Sequence, residues 1–175
     1  MKKCILLLSA ALLIQPVVST NLQAKEPKLT KNSNNHSIKV GDKLNLNSST
    51  EFTQTNDGIH YKTLKSGTGK SPLRGEKLTV HYDGHLLVKK MNDKKQIEFF
   101  VGEPFDSSRQ RGKTFSFDLG MRQVISGWDK MLATMKPGEI RLVVLPSKEA
   151  YGSRGQGHIP ADASLIFVIE FISVA

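Results

Sequence analysis

The chain has 175 residues, which is enough for one domain and a tail but short for two domains. Its formal net charge of +9 would suit a nucleic acid or an anionic surface as a partner, but an export signal at the N-terminus argues against nucleic acid. The single cysteine, Cys4, lies inside that signal, so the mature chain would have neither a disulfide nor a cysteine nucleophile.

Residues 1–24 have the features of a secretory signal peptide. Two lysines follow the initial methionine, a mostly apolar run extends from residue 5 to residue 14, and small residues come next. The apolar run is too short to cross a bilayer. We therefore predict cleavage after Ala24 or nearer Ser19, no membrane span afterwards, and a periplasmic or secreted protein.

Residues 25–57 are rich in Lys, Asn, Ser and Thr, and their few apolar residues show no sustained period. Such a segment buries too little apolar surface to offset the entropy that is lost when it becomes ordered. We predict a flexible linker without a dimerisation helix, and we expect a monomer.

From Gly58 onward, alternation of apolar and polar residues predicts strands. The second strand is expected to break at Asp83-Gly84, and Gly102-Glu103-Pro104 is expected to form a turn. The last strand is apolar on nearly both faces, which predicts that it is central or covered on both sides. The predicted strands cover 59–64, 78–82, 86–88, 97–101, 114–118, 140–145 and 165–172.

One stretch is predicted to be helical, and it contains the only tryptophan of the chain. Ser126 and Asp129 have the spacing of a capping box, and Pro137-Gly138 would stop the helix. The whole pattern predicts an α+β fold in one domain, 58–175, in which one short helix lies in the concave face of a curved antiparallel sheet, with a flexible tail before it. The apolar positions of the helix follow the i, i+3, i+4, i+7 spacing: Trp128, Met131, Leu132 and Met135.

Motifs of nucleophilic, phosphate-binding and dinucleotide-binding sites do not occur in the sequence. His81 and His85 are the best candidates for a shared metal, but no third ligating residue accompanies them. We therefore expect neither a metal nor a cofactor.

The remaining candidates are aromatic residues with a few polar neighbours. Tyr82 and Tyr151 carry hydroxyls that need partners if buried, and Asp106 and Arg111 flank an aromatic turn. An apolar pocket with a few convergent polar groups is typical of a site for a small ligand or a peptide. An ordinary aromatic core is the alternative interpretation.

Four segments resemble signature segments of the FKBP-type peptidyl-prolyl cis/trans isomerases. They occur in the family's order and at similar spacing, and the resemblance covers 58–175. Within the family, the chain is similar to the exported members that resemble the macrophage infectivity potentiator, without their long N-terminal dimerisation helices. The four segments are Val80-His81-Tyr82-Asp83-Gly84, Phe105-Asp106-Ser107-Ser108-Arg109-Gln110-Arg111, Val124-Ile125-Ser126-Gly127-Trp128 and Ala150-Tyr151-Gly152.

This resemblance implies a twisted antiparallel sheet wrapped around the short helix, with a proline pocket between them and Trp128 as its floor. It implies catalytic roles for Tyr82, Asp106 and Tyr151, with Arg111 orienting the first two. The backbone NH of Ile125 and the hydroxyl of Tyr151 would bind substrate carbonyls. The lining that the resemblance implies is Tyr82, Phe105, Asp106, Phe115, Val124, Ile125, Trp128, Tyr151, Ile159 and Phe167.

The sequence departs from the family pattern at three places. Gln123 stands where the family usually has a glutamate. The loop after Tyr151 is one residue shorter than in small cytosolic members, with His158 where an isoleucine is common. Residues 88–103 are longer than usual, and their lysine pairs suggest either a solvated hairpin or a surface for clients or partners.

The function that the resemblance implies is isomerisation of X-Pro bonds during the folding of exported proteins. Its partners would be proline-containing polypeptides, with the macrolides tacrolimus and rapamycin as candidate inhibitors. Two alternatives stay open. One is a non-catalytic chaperone module that binds proline peptides, and the other is a cationic protein that uses the linker and residues 89–95 on anionic envelope polymers.

Overall fold

The computed structural model describes residues 36–175, so the predicted signal peptide and the first part of the predicted linker lie outside the described residues. Within this range, eight strands and one α-helix occur. They are β1 (Lys43–Leu44), β2 (Thr53–Gln54), β3 (His60–Lys65), β4 (Lys77–Met91), β5 (Ile97–Ser107), β6 (Phe115–Asp118), α1 (Ser126–Leu132), β7 (Ile140–Leu145) and β8 (Leu165–Val174).

All eight strands belong to one antiparallel sheet, in the order β1-β5-β4-β8-β7-β3-β2, with β6 pairing to β4 off this path. The sheet curls around α1, which confirms the predicted α+β class and its short helix. The predicted apolar stripe of the helix is buried against one face of the sheet: Trp128, Met131, Leu132 and Met135. Within residues 36–175, no helix is long and apolar enough to cross a membrane.

Strand β8 is covered on both faces, as its apolar sequence predicts. Phe167 and Ile169 point into the core beneath the helix, whereas Ile166 and Val168 belong to a second apolar cluster on the outer face of the sheet. Alternate residues of a strand point to opposite faces, so a strand that is apolar at every position needs a cover on each side.

The outer cover comes from the segment that we predicted to be a flexible linker. Leu44, Leu46 and Phe52 are 8%, 7% and 5% exposed and pack in the outer cluster. Strand β1 pairs with β5 and β2 pairs with β3, so the prediction is wrong for residues 43–54. The strands of this segment have only two residues each, so its apolar residues pack one by one on the outer face of the sheet and show no regular period.

Strands β4 and β5 run through both positions where we predicted interruptions. Gly84 lies within β4, where a Cβ atom would come within 2.8 Å of the Phe105 ring and 3.0 Å of the Phe167 ring. The glycine is needed for close ring approach rather than for a turn. Strand β5 passes through Gly102-Glu103-Pro104 with shifts of register against β4, which accommodate the proline as a bulge does.

The helix begins without the predicted capping box. Ile125 is the N-cap residue, and no side chain caps the helix. Instead, the Ser126 hydroxyl donates to Glu149, and the Asp129 carboxylate accepts a hydrogen bond from the Gly120 NH at 2.8 Å. The helix ends at Leu132, earlier than Pro137 would have stopped it.

We predict that Phe52→Ala destabilises the protein by about 3 kcal/mol, because it opens a cavity under the outer cover of the sheet. Urea unfolding of the chain without its signal would measure the change. The matched control is Val40→Ala, since Val40 is 52% exposed and its loss should cost no more than about 0.5 kcal/mol. Equal, small effects of both substitutions would contradict the packed position of this segment.

Candidate active site

A cavity of about 150 Å³ lies between the first turn of the helix and the concave face of the sheet. The structure brings to it all the residues that the resemblance implied for its lining, except Ile159. Ile159 does not line the cavity; it is 7% exposed and belongs to the buried cluster that also contains Trp128 and Phe167. The lining is Tyr82, Phe105, Asp106, Phe115, Gln123, Val124, Ile125, Trp128, Tyr151 and Phe167.

Trp128 is a buried part of this lining and is 4% exposed. Its ring meets Tyr82 edge-on, with centroids 4.9 Å apart, and Phe167 edge-on at 5.3 Å. Among the described residues, its indole NH has no hydrogen-bond partner. The ring is therefore held by aromatic packing, in the T-shaped geometry that ring quadrupoles favour.

Two phenylalanines complete the aromatic wall. Phe105 packs edge-on against Phe167 at 5.6 Å, and Phe115 stacks on Phe117 at 5.8 Å. Phe105 comes from β5, Phe115 from β6 and Phe167 from β8. With Tyr82 from β4, four strands therefore contribute rings to a single apolar surface.

One edge of the cavity carries a closed polar triad of Tyr82, Asp106 and Arg111. The Tyr82 hydroxyl donates to one carboxylate oxygen of Asp106, and the Arg111 guanidinium pairs with the other. Arg111 also donates to the Tyr82 hydroxyl at 2.8 Å. Because both oxygens of Asp106 are engaged, the carboxylate presents a fixed negative charge and is poorly placed to abstract a proton.

The turn that carries Asp106 and Arg111 is tied to β4 by two serines whose role the sequence analysis missed. Ser108 is fully buried, and its hydroxyl accepts a hydrogen bond from the Tyr82 NH at 2.8 Å. The Ser107 hydroxyl donates to Asp83 at 2.5 Å. Both serines belong to the motif that begins at Phe105. Short polar side chains next to an aromatic residue were the available indication that they form such hydrogen bonds.

Tyr151 and Ile125 also line the cavity. Burial raises the pKa of the Tyr151 hydroxyl, because the phenolate would lose hydration. The group therefore stays protonated and able to donate well above neutral pH. Ile125 has extended backbone angles at the start of the helix, where NH groups lack intrahelical partners.

Gln123 is the one lining residue that was not predicted for the pocket. Its side-chain amide donates to the Asp118 carboxylate and accepts from the Asp118 NH, each at 3.0 Å. The side chain is thus used to hold the end of β6. A glutamine serves here because it donates and accepts at once.

The two histidines considered as metal ligands have separate partners. His81 Nδ1 lies 3.0 Å from the Ser108 hydroxyl, and His85 Nδ1 lies 3.0 Å from the Gly102 carbonyl. In the part of the chain that the structure describes, no group of three or more His, Cys, Asp or Glu residues could hold a metal ion.

Comparison with known proteins shows what this chain resembles. A family model described as FKBP-type peptidyl-prolyl cis-trans isomerase matches residues 68–172. The chain is 46% identical over 101 residues to FK506-binding protein 2 of Debaryomyces hansenii, covering 58% of this chain and 65% of that one. It is 38% identical over 119 residues to the peptidyl-prolyl cis-trans isomerase Mip of Coxiella burnetii, covering 67% of this chain but 45% of that relative.

The fold also matches a solved structure, that of FkpA from Escherichia coli, with a TM-score of 0.60 and 29% identity. The match covers 73% of this chain and 53% of FkpA. The chain thus spans about half to two thirds of the length of these three relatives.

We predict that Ser108→Ala lowers the free energy of unfolding by about 2 kcal/mol, because the buried Tyr82 NH would lose its acceptor. Thermal or urea unfolding would measure the change. Ser116→Ala removes a hydroxyl from an exposed Ser116–Thr79 contact and should cost no more than about 0.5 kcal/mol. If Ser108→Ala were as mild as Ser116→Ala, the serine would not anchor the turn.

Proposed function

The chain belongs to the FKBP-type peptidyl-prolyl cis-trans isomerases, and from this premise we propose that its aromatic cavity accelerates rotation about X-Pro bonds in exported polypeptides. The observation that carries the proposal is the cavity itself, an aromatic chamber with Trp128 in its lining and the Tyr82–Asp106–Arg111 triad at its edge. No further chemical group is required, because the reaction makes and breaks no bond.

Rotation about a peptide bond faces a barrier of about 18–20 kcal/mol, because the twisted state loses amide resonance. The isomerisation of X-Pro bonds takes tens of seconds without help, slow enough to limit folding. A catalyst of this step must bind the twisted bond more tightly than either planar form. The residues of the cavity supply such a preference in three ways.

The first contribution is the removal of water. The prolyl ring would enter the aromatic chamber and pack on Trp128, with Phe105 and Phe167 beside it. A planar amide is more polar than a twisted one, so a dry apolar surrounding disfavours the planar ground state relative to the twisted state.

The second contribution is a pair of fixed donors for the carbonyls that flank the rotating bond. We assign this role to the Ile125 NH and the Tyr151 hydroxyl. The place of both residues in the lining supports the assignment, and a tyrosine hydroxyl is protonated and able to donate throughout the physiological range.

The third contribution is the charge of Asp106. A carbonyl that has left conjugation with nitrogen has a more electrophilic carbon, and a fixed carboxylate nearby stabilises that polarisation. Arg111 and Tyr82 hold the carboxylate in place, and both therefore act by orientation.

We further propose that the protein is exported to the periplasm or secreted, because residues 1–24 have the pattern of a signal peptide. Its clients would be proline-containing polypeptides that fold outside the cytoplasm, and it would act as a monomer. The names of relatives as FK506-binding proteins support tacrolimus as a ligand of the same cavity.

The decisive experiment follows the cis-to-trans conversion of short X-Pro peptides with residues 25–175, with and without tacrolimus. We expect acceleration that the drug abolishes, because both would occupy the Trp128 cavity. Acceleration that the drug does not affect would show that the chain is an isomerase whose cavity does not bind tacrolimus. Binding of the peptides without acceleration would favour the chaperone module over the enzyme.

We predict that Asp106→Asn lowers kcat/KM by about tenfold, which corresponds to about 1.4 kcal/mol of transition-state stabilisation. Asparagine has the same shape as aspartate but no charge, so the fold should persist while the electrostatic contribution is lost. The matched control is Asp93→Asn, an exposed aspartate at the tip of the β4–β5 hairpin. Wild-type activity of Asp106→Asn in a folded sample would refute the role of the charge.

A further inference from the structure

Glu149 is a buried carboxylate that lies next to the cavity but does not line it. It is 6% exposed and ends a short 3-10 turn, Ser147–Glu149, two residues before Tyr151. A buried carboxylate is costly unless it is paired and hydrogen-bonded, so its presence at this position calls for a reason.

Both oxygens of Glu149 have partners on the helix. One oxygen accepts a hydrogen bond from the Ser126 hydroxyl at 2.8 Å, and the other accepts one from the Lys130 ammonium at 2.9 Å. Ser126 is the first residue of the helix and directly follows Ile125. The carboxylate therefore connects the turn before Tyr151 to the residue after Ile125.

The Lys130 ammonium extends this connection to the N-terminal part of the domain. It also donates to the Asp57 carboxylate at 2.8 Å. The hydrogen bond that Lys130 donates to Asp57, and after it the one that it donates to Glu149, raises the pKa of Lys130, so the ammonium stays charged opposite both carboxylates.

The backbone of the helix is also in close contact with this turn. A Cβ atom on Gly127 would lie 2.5 Å from a methyl carbon of Leu145 and 3.0 Å from the Glu149 carbonyl oxygen. Only glycine allows so close an approach. The first turn of the helix thus rests directly on residues 145–149, and any displacement of Glu149 would be transmitted to the helix.

We propose that Glu149 is a positioning residue that sets the spacing between the two carbonyl-binding donors, the Ile125 NH and the Tyr151 hydroxyl. Glu149 is two residues from Tyr151 in the chain and bonds the neighbour of Ile125, so it links the two segments that carry the donors. This inference rests on the proposed function, since it assumes that those two groups bind substrate.

Stability alone does not explain a carboxylate here. The side chain of Lys130 is 42% exposed, so water screens its ion pair with Glu149, and the pair offsets little of the cost of burying the carboxylate. What a hydrogen-bonded carboxylate adds is a defined direction and length for each contact, and small misplacements of catalytic groups are costly to turnover.

The test compares Glu149→Gln with Glu139→Gln, a substitution at the other end of β7. Glu139 is 5% exposed and pairs with Arg141 at 2.6 Å, so it is an equally buried carboxylate remote from the cavity lining. Both variants keep the side-chain volume and lose the charge. Peptide isomerisation, measured per folded molecule with separate kcat and KM, and thermal unfolding would be determined for each.

We expect Glu149→Gln to lower kcat by roughly tenfold while KM changes less than about twofold, because the apolar lining stays and only the donors for the twisted state move. Glu139→Gln should lower the unfolding temperature and leave kcat unchanged. Ser126→Ala, an exposed and conservative change, should lower kcat in the same direction. Combined with Glu149→Gln, it should add little, because the two residues share one contact.

The outcomes separate this inference from the proposed function. An inactive wild-type chain would overturn both. An active wild type, with Glu149→Gln and Glu139→Gln equally active per folded molecule, would overturn the positioning role and leave the isomerase intact. Additive losses in the double variant would show that Ser126 and Glu149 act separately, which also overturns the proposal.

Discussion

The burial of strand β8 on both faces is the constraint on which the rest of the structure depends. Phe167 on its inner face packs against Trp128, and Ile166 on its outer face lies beneath the N-terminal segment. A strand of this kind cannot face water on either side without exposing several large apolar residues. The helix therefore covers the inner face of β8, and the N-terminal segment covers its outer face.

The candidate site depends on that arrangement, because its residues lie on the helix and on strands that the burial of β8 holds together. Tyr82 pairs with Ile169 of β8 across the sheet, and its hydroxyl then reaches Asp106 and Arg111 at the edge of the cavity. The polar groups are held by strands and by a serine-anchored turn rather than by a flexible loop. Preorganisation of this kind suits a reaction in which the protein must stabilise a twisted bond without covalent chemistry.

Much of the fold and most of the cavity could be predicted from local patterns. The alternation in β3, β6 and β7, the continuous apolar run of β8 and the apolar stripe of the helix are properties of nearby residues. The four motifs contain most of the cavity lining, and Phe115, Gln123 and Phe167 lie outside them. Two local predictions failed because the same residue type can serve either of two structural purposes. Gly84 resembles a turn residue but admits two aromatic rings, and Ser126 resembles a cap but bonds Glu149. The sequence shows that a glycine or a serine stands at such a position, but it does not show which residues contact it.

The sequence by itself determined the class of fold, the family and the aromatic character of the site, because periodicity and motif spacing are written along the chain. Only the tertiary structure decided that residues 43–54 belong to the domain, that Ile159 is buried without lining the cavity, and that Glu149 lies against the helix. Each of these depends on contacts between residues distant in sequence. The free energy of such a contact comes from burying surfaces that exist only once the sheet has formed. A pattern of neighbouring residues therefore cannot predict the contact.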